Sequence, residues 1–349
     1  MTQPLRIALA QLNLLVGDVP GNTARMVAAV AEARSELNAD LVVFQELALC
    51  GYPPEDLLFH SAMSQRVADA IAELQAATNG IAALVGYPEY ADGKIYNSAV
   101  WLEGGQVKAN YRKRCLPNYG VFDERRYFTA GNDALVMKLK DVPIGITICE
   151  DIWESPDAAL AAVDEGAQLI VSVNGSPFRY NKQKIREKLL ATRCAETGVP
   201  IIYQNMVGGQ DELVFDGGSC VVNAEGETCL RAPAFDEGLY VAEFSVGSGN
   251  SIEPQQGLIT PLPEAVPNIY KAIVRGVRDY VIKNGFDGVV LGLSGGIDSA
   301  LCLTIAVDAL GADAVQAIMM PYHYTSDISM EDAQQQAATL DVEYKVLPI

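Results

Sequence analysis

The feature that most constrains the fold is a glycine loop between a strand-like and a helix-like segment. Residues 288–299 read GVVLGLSGGIDS, and the helix-like stretch ALCLTIAVDAL follows directly. A buried strand that enters a glycine turn and then a helix aims free backbone N–H groups and the positive end of the helix dipole at one point. The glycines let an anion approach the main chain, and Ser294 and Ser299 add hydroxyl donors. The pattern therefore predicts a phosphate-binding loop in an α/β domain.

This loop differs from two common nucleotide-binding motifs, since it has neither the Gly-Lys-Ser/Thr of a Walker loop nor the GxGxxG of a dinucleotide fold. Ser-Gly-Gly-x-Asp-Ser instead resembles the pyrophosphate loop of ATP pyrophosphatases, which adenylate a substrate and release pyrophosphate. The resemblance implies ATP binding by Gly292, Leu293, Ser294, Gly295, Gly296, Ile297, Asp298 and Ser299. Asp298 is the candidate Mg²⁺ ligand, and an N-cap for the following helix is an equally compatible role.

Bulk properties narrow the class of protein. A length of 349 residues suggests two domains, and a net charge of −19 argues against nucleic acid or an anionic membrane as partner. The N-terminus lacks the apolar core of a signal peptide, and no apolar run approaches the length of a membrane span. The seven cysteines include no CxxC pair, which favours a reduced cytoplasmic protein without a zinc site or haem attachment.

Residues 5–245 alternate short apolar strands with amphipathic helices. Met63, Val67, Ile71 and Leu74 recur at helical spacing and predict one buried helix face. The predicted strands are Leu5–Ala10, Asp40–Phe44, Ile81–Val85, Ile144–Ile148, Gln168–Val173 and Pro200–Gln204, and the predicted hairpins are Ser98–Leu102 with Val107–Tyr111 and Ser219–Asn223 with Thr228–Ala232. This mixture predicts a layered α/β sandwich.

The composition changes near Ser245, where a glycine- and proline-rich stretch predicts a linker over 246–263 between domains at 1–245 and 264–349. A helix follows, with a predicted buried face of Ile269, Ile273, Val277 and Val281. Further strands are expected at Ala314–Met320 and from about Tyr344. About 85 residues are few for a complete doubly wound domain, so the second domain is expected to be incomplete and to continue past Ile349.

Three residues with chemical potential stand at strand ends of the first domain. Glu46 follows LVVFQ, Lys113 follows VKANYR and Cys149 follows PIGITI. A cysteine is nucleophilic as thiolate, yet its ordinary pKa is about 8.5, so it needs a base. The chain has only two histidines, and His323 belongs to the other domain. A glutamate base with a nearby lysine is the remaining route to an active thiolate.

In their sequence contexts these residues resemble the Glu-Lys-Cys triad of the nitrilase, or carbon–nitrogen hydrolase, superfamily. The contexts are FQELALCGYPPEDLL, YRKRCLPNYGVFDERRYF and ITICEDIW. The resemblance implies an α-β-β-α sandwich in which Cys149 attacks an amide carbon, Glu46 is the general base and Lys113 stabilises the tetrahedral intermediate. Glu124 matches a second supporting glutamate. Taken singly, Cys149 could be a small buried hydrophobic residue, and Glu46 and Lys113 could be surface charges.

A nitrilase-type amidase followed by a Ser-Gly-Gly-x-Asp-Ser domain resembles the glutamine-dependent NAD⁺ synthetases along the entire chain. The family implies L-glutamine as ammonia donor, bound by residues matching Tyr119, Ser176 and Lys182. It also implies that ATP, Mg²⁺ and nicotinic acid adenine dinucleotide react in an incomplete Rossmann-like second domain, yielding NAD⁺, AMP and pyrophosphate. A homo-oligomer is the expected assembly.

Plainer interpretations remain for several of these residues. Tyr119 could be a half-buried aromatic residue, and Lys182 lies in NKQKIREK, which could be a solvated basic face. Glu150 and Asp151 are interpreted as an acidic pair at a helix start rather than as catalytic groups.

Two other functions compete with glutamine-dependent NAD⁺ synthesis. The chain could be an amidase for another small amide, with a vestigial nucleotide-binding domain, or a nucleotide-sensing module that no longer turns over. Because family members extend past Ile349, the dinucleotide site is expected mostly beyond it, and the chain by itself is expected to hydrolyse glutamine without making NAD⁺.

Overall fold

The computed structural model describes residues 4–247 and 251–349, and the chain divides into two compact units. The first unit comprises Met1–Val207 and Phe215–Pro263, and the second comprises Gly208–Val214 and Glu264–Ile349. Residues 1–3 of the predicted first domain and 248–250 of the predicted linker lie outside the described residues.

A seven-stranded sheet forms one inner layer of the first unit. In spatial order its strands are Ile252–Pro254 (β15), Gly238–Val246 (β14), Leu5–Gln11 (β1), Leu41–Val43 (β2), Ala82–Ala91 (β3), Lys94–Glu103 (β4) and Gln106–Arg112 (β5). β1, β2 and β3 are parallel, and the other neighbours pair antiparallel. β15 lies within the predicted linker. Its residue Ile252 packs into the core and pairs with Val246, so this part of the predicted linker belongs to the first unit.

A six-stranded sheet forms the other inner layer. In spatial order its strands are Thr228–Arg231 (β13), Cys220–Val222 (β12), Ile201–Asn205 (β9), Leu169–Asn174 (β8), Val142–Ile148 (β7) and Val136–Leu139 (β6). β7, β8 and β9 are parallel. The six predicted strands and both predicted hairpins of the first domain are confirmed, with ends that shift by a few residues. A separate hairpin joins Val207–Gln210 (β10) to Leu213–Asp216 (β11).

Side-chain alternation along the strands explains why the two sheets pack face to face. On β8, Leu169, Val171 and Val173 join a core shared by both sheets, whereas Ile170 packs in a second core with helix residues. The helices outside the sheets are Val19–Ser35 (α1) and Met63–Ala77 (α2) on one side and Asp157–Asp164 (α5) and Lys182–Thr197 (α6) on the other. Two short helices are Glu124–Tyr127 (α3), in the segment between β5 and β6, and Glu150–Trp153 (α4), just after β7. The predicted α-β-β-α sandwich is confirmed.

The second unit contains a parallel three-stranded sheet, as expected for part of a doubly wound domain. Its elements in chain order are Ala265–Lys283 (α7), Val289–Gly292 (β16), Ile297–Leu310 (α8), Val315–Met319 (β17), Asp327–Thr339 (α9) and Glu343–Val346 (β18). Leu293, Leu303, Ala317 and Ala333 form the centre of its core.

The predicted buried face of α7 is wrong in part. Ile269 and Ile273 are 39% and 44% exposed, while Ala272 and Asp279 are buried. The Asp279 carboxylate accepts the backbone N–H of Gly209 at 2.6 Å, and this bond compensates for burying a charge. The apolar period of the helix could not reveal this partner, because Gly209 lies 70 residues earlier in the chain.

Among the described residues, no helix combines the length and the apolar character that a bilayer crossing requires.

Candidate active site

Cys149 occupies the sharp junction between β7 and α4. Its φ of 43° lies in the left-handed region, which costs a residue with a side chain about 1–3 kcal/mol. The backbone N–H of Cys149 donates to the carbonyl of Val173 at 3.0 Å and holds the junction against β8. The side chain is only 4% exposed and lines a cavity of about 350 Å³, a volume within the range of small-molecule sites. The thiol therefore lies where a small ligand would enter.

Glu46 follows β2, is fully buried and accepts three hydrogen bonds. Oε1 accepts from Asn97 Nδ2 at 2.7 Å and from Lys113 Nζ at 2.7 Å, and Oε2 accepts from the backbone N–H of Gly175 at 2.8 Å. The chain can approach this closely because residue 86 is glycine: a Cβ there would lie 2.3 Å from the carbonyl oxygen of Gln45. Three donors thus fix the orientation of the carboxylate.

Lys113 follows β5 and bridges two buried carboxylates. Its Nζ lies 2.7 Å from Glu46 Oε1 and 2.8 Å from Glu124 Oε1. Burial lowers the pKa of Lys113, but the charges of Glu124 and Glu46 outweigh it, so the pKa lies well above its usual range. The side chain remains an ammonium ion.

Glu124 begins α3 and is the third member of this charge cluster. Burial raises its pKa to about 7, Lys113 opposes the rise, and the negative charge of Glu46 adds to it. The Tyr52 hydroxyl lies 3.4 Å from Glu124 Oε1. Glu124 thus titrates near neutral pH, next to a lysine that does not.

The Cys149 thiol is neutral at rest. Burial raises its pKa well above the usual range, Glu46 raises it further, and Lys113 opposes both. A buried neutral thiol requires a base at the moment of attack. The charge of Glu46 raises the pKa of Cys149, and the Glu46 carboxylate is held in place by hydrogen bonds. Because Lys113 also influences the pKa of this thiol, the structure brings together the three predicted strand-end residues.

An acid–phenol pair lines part of the cavity. Tyr119 is 59% exposed, and its hydroxyl donates to Glu150 Oε1 at 2.8 Å. Both residues line the cavity. The pKa of Glu150 is raised, chiefly by burial, while the bond from Tyr119 lowers it.

Cationic side chains also line the cavity. Lys182 is the first residue of α6, and its Nζ lies 3.7 Å from the centre of the Trp153 ring, in cation–π geometry. Burial, with a contribution from Arg186, lowers the pKa of Lys182 to about 8. The interpretation of Lys182 as part of a solvated basic face is wrong, because the folded chain turns it toward Trp153. Arg179, which sequence reasoning missed, also lines the cavity.

Ser176 also lines the cavity and is held by a buried arginine. Arg186 Nη2 donates to the Ser176 carbonyl at 2.9 Å and to Asp216 Oδ1 at 2.7 Å, and its Nε lies 3.4 Å from Ser176 Oγ. The structure therefore brings Tyr119, Ser176 and Lys182 to the same cavity as Cys149.

Glu150 and Asp151 are the first two residues of α4, as the interpretation of an acidic pair at a helix start requires. Glu150 lines the cavity, and Asp151 is fully buried and hydrogen-bonded. Their position directly after Cys149 was the only signal in the sequence, and it does not distinguish a helix start from a site.

The glycine loop of the second unit follows β16 and precedes α8. Its serines bond to each other: Ser294 Oγ lies 3.0 Å from Ser299 Oγ, and Ser299 Oγ donates to the Gly296 carbonyl at 2.9 Å. Leu293 is buried, and its N–H pairs with the Ile318 carbonyl at 2.9 Å, so this residue continues the strand. Gly292, Leu293 and Ser294 line a cavity of about 550 Å³.

Asp298 is the second residue of α8 and is exposed. The N-cap is Gly296, so the interpretation of Asp298 as the cap is wrong. In the described residues, no three His, Cys, Asp or Glu side chains gather as a metal site. A single carboxylate fits Mg²⁺ that is bound chiefly through substrate phosphates.

Comparison with known families divides the chain in two. Residues 6–252 match the carbon-nitrogen hydrolase family, and residues 269–349 match NAD synthase. The glutamine-dependent NAD(+) synthetase of Xylella fastidiosa strain Temecula1 is 46% identical over 351 residues, which cover 100% of this chain and 64% of that protein. The chain thus spans less than two thirds of this relative's length.

Two solved structures resemble the whole chain and a part of it, respectively. The glutamine-dependent NAD⁺ synthetase from Acinetobacter baumannii, in complex with ADP, is 41% identical with a TM-score of 0.94, covering 99% of this chain and 65% of that chain. A mutant amidase from Nesterenkonia sp. AN1, of the nitrilase superfamily, is 28% identical with a TM-score of 0.62, covering 68% of this chain and 89% of that chain. In that mutant the acetamide moiety of fluoroacetamide is covalently added at the active-site cysteine.

Proposed function

This chain belongs to the carbon-nitrogen hydrolase family, and on that basis we propose that its first unit hydrolyses the side-chain amide of L-glutamine. The ammonia passes to the NAD synthase part of the protein, to which the second unit contributes the ATP-binding loop. There ATP adenylates nicotinic acid adenine dinucleotide and ammonia amidates it to NAD⁺, with release of AMP and pyrophosphate. The buried Glu46–Lys113–Glu124 cluster beside Cys149 is the observation that carries the first half. The names of the relatives and the match of residues 269–349 support the second half.

The first chemical step is attack by Cys149 sulfur on the amide carbon. Glu46 takes the thiol proton as the S–C bond forms. Oε1 of Glu46 already receives two donors and Oε2 receives one, so Oε2 is the oxygen suited to accept this proton. Two of the three N–H bonds of Lys113 donate to Glu46 and Glu124, which leaves the third to stabilise the developing oxyanion.

The intermediate then collapses and releases ammonia. Glu46 returns its proton to the leaving nitrogen, the C–N bond breaks, and a thioester remains on Cys149. A water molecule, deprotonated by Glu46, attacks the thioester and yields glutamate and the free thiol. Lys113 stays charged throughout, because its pKa lies well above the usual range.

Glutamine is a zwitterion, and the cavity offers a group for each charge. The Glu150 carboxylate is placed for the α-ammonium group, and Tyr119 orients it through the 2.8 Å bond. Lys182 and Arg179 are placed for the α-carboxylate. Ser176 lies on the same wall, where Arg186 fixes its backbone.

Replacing Lys182 with methionine is expected to raise KM for glutamine roughly 10–100-fold with little change in kcat, since one charge-assisted bond is worth about 1.5–3 kcal/mol. The wild-type KM should also rise as pH increases through about 8, because the lowered pKa of Lys182 makes it neutral above that value. The variant should lack this rise. Steady-state ammonia release between pH 6.5 and 9 tests both. Lys184→Met, on the exposed side of α6, is the matched control; an unchanged KM in Lys182→Met would contradict the assignment.

The second unit binds the phosphates of ATP at the glycine loop, and the cavity beside the loop accommodates the rest of the nucleotide. Backbone N–H groups at the start of α8 and the hydroxyls of Ser294 and Ser299 are the donors. Mg²⁺, when bound, offsets the phosphate charge, and Asp298 is the side chain that would hold it.

Gly295→Ala is expected to reduce ATP affinity at least about 100-fold, as an altered anion loop loses several N–H contacts at once. Gly295 has a φ of 77°, and a Cβ there would lie 2.2 Å from the Ser329 carbonyl oxygen. Gly285→Ala is the matched control, because Gly285 also has a positive φ but no atom within 4 Å of the added Cβ. Calorimetric titration with MgATP measures both; equal losses would show that backbone strain alone is responsible.

Ammonia release from glutamine, compared with release from other small amides, tests the proposed substrate. A preference for glutamine supports the coupled function. Faster hydrolysis of an amide without an α-amino acid end would favour the alternative of a general amidase. We further propose a cytoplasmic location, because glutamine and ATP are cytoplasmic substrates. The homo-oligomer is proposed separately, on the resemblance to the nitrilase superfamily.

A further inference from the structure

The Asp151 carboxylate accepts four hydrogen bonds and is fully buried. Oδ1 accepts the backbone N–H of Arg114 at 2.9 Å and of Cys115 at 2.7 Å. Oδ2 accepts the backbone N–H of Ile148 at 3.0 Å and the Tyr111 hydroxyl at 2.7 Å. Every donor belongs to one of two chain segments, and each segment carries a member of the proposed triad.

Tyr111 lies before Lys113, and Arg114 and Cys115 lie directly after it. Ile148 immediately precedes Cys149. β5 belongs to the seven-stranded sheet and β7 to the six-stranded sheet. One side chain therefore ties the lysine segment of one sheet to the cysteine junction of the other.

We propose that Asp151 is a positioning residue that fixes the Lys113 ammonium relative to the Cys149 thiol. The proposal rests on the proposed function, in which Cys149 attacks and Lys113 stabilises the oxyanion. Glu46 and Glu124 hold the tip of Lys113, but a lysine side chain has four rotatable bonds. Fixing its backbone is a separate requirement, and a displacement of about 1 Å can cost roughly 100-fold in rate.

A direct electrostatic effect of Asp151 makes the opposite prediction. If Asp151 acted only through its negative charge, Asp151→Asn would make Cys149 easier to ionise. If Asp151 positions Lys113, the same substitution displaces the cation that favours the thiolate, and Cys149 becomes harder to ionise. The ionisable groups that interact electrostatically with Cys149 come from several elements. They are Glu46, Tyr52, Lys113, Tyr119, Glu124, Glu150, Lys182 and Tyr203.

The test is the pH dependence of alkylation of Cys149 by iodoacetamide, followed by peptide mass spectrometry, together with kcat and KM for glutamine. Asp151→Asn should slow alkylation at neutral pH at least about tenfold and move its midpoint to higher pH. It should lower kcat roughly 100-fold while KM changes little, because Asp151 does not line the cavity. An unchanged midpoint, or one moved to lower pH, would overturn the proposal.

Two further variants separate positioning from stability. Tyr111→Phe removes one of the four bonds and keeps the charge, so it should move the midpoint in the same direction by a smaller amount. Glu187→Gln disrupts bonds to Gln183, Thr228 and Arg231 and should lower Tm without moving the midpoint. The same midpoint shift in Glu187→Gln would mean a general loss of stability and would overturn the proposal.

The outcomes also separate this inference from the proposed function. A wild-type chain that releases no ammonia from glutamine, combined with the expected alkylation shift in Asp151→Asn, overturns the function and supports the positioning role. A wild-type chain that hydrolyses glutamine, combined with an Asp151→Asn variant of normal kcat and alkylation, overturns the positioning role alone.

Discussion

Replacing Cys149 with alanine is expected to lower ammonia release from glutamine by at least about 10⁴-fold, because loss of a nucleophile leaves only binding and electrostatic contributions. Cys149 is the cysteine that lines the cavity beside the Glu46–Lys113–Glu124 cluster. The measurement is initial ammonia release at saturating glutamine.

Cys302→Ala is the matched control for this experiment. Cys302 is exposed, lies on α8 in the second unit and has no proposed role. The control should retain wild-type activity, and Cys149→Ala should keep its Tm within a few degrees. Residual activity in Cys149→Ala above about a tenth of the wild-type rate would exclude Cys149 as the nucleophile.

Replacing Lys113 with methionine is expected to reduce both activity and stability. Loss of the proposed oxyanion donor should cost about 10²–10³-fold in kcat. Breaking a buried ion pair by removing one partner typically costs about 3–5 kcal/mol, since it leaves an uncompensated buried charge. Here two buried carboxylates, Glu46 and Glu124, would lose their shared cation. Denaturant unfolding of the first unit, followed near neutral pH, measures the loss in free energy of unfolding.

A double variant distinguishes the two effects. Lys113→Met combined with Glu124→Gln leaves Glu46 as the one carboxylate of the cluster without a cation, so it should regain part of the lost stability. It should regain no activity, because the oxyanion donor is still missing. A single Lys113→Met variant as stable as the wild type would show that the charge cluster is not held as the structure describes.

Much of the first unit could be predicted from local pattern. Short apolar runs identify β8 and its neighbours, and the strand ends before Glu46 and Cys149 are visible as abrupt stops in such runs. Gly104 and Gly105 indicate the β4–β5 hairpin, and both adopt the left-handed backbone that such a turn requires. These features depend on residues within a few positions of each other.

Features that depend on contacts between residues far apart in the chain could not be predicted from the sequence. The bond from Gly175 to Glu46 spans 129 residues, and the bond from Tyr111 to Asp151 spans 40. The sequence therefore shows Glu150 and Asp151 only as a helix start, and their hydrogen-bond partners Tyr119 and Tyr111 become visible only in the fold. The burial of Asp279 on α7 has the same origin, since its partner Gly209 lies in a distant hairpin.

The most direct test of the central claim, that Cys149 attacks glutamine with Glu46 as base, is rapid-quench mass spectrometry of the protein mixed with glutamine. Mixing should produce an adduct with the mass of one glutamyl group on the peptide that carries Cys149. In Glu46→Gln the adduct should form at least about 10²-fold more slowly, because the proposed general base is absent. Ammonia release from glutamine without an adduct at Cys149, or with an adduct on another cysteine, would contradict the claim.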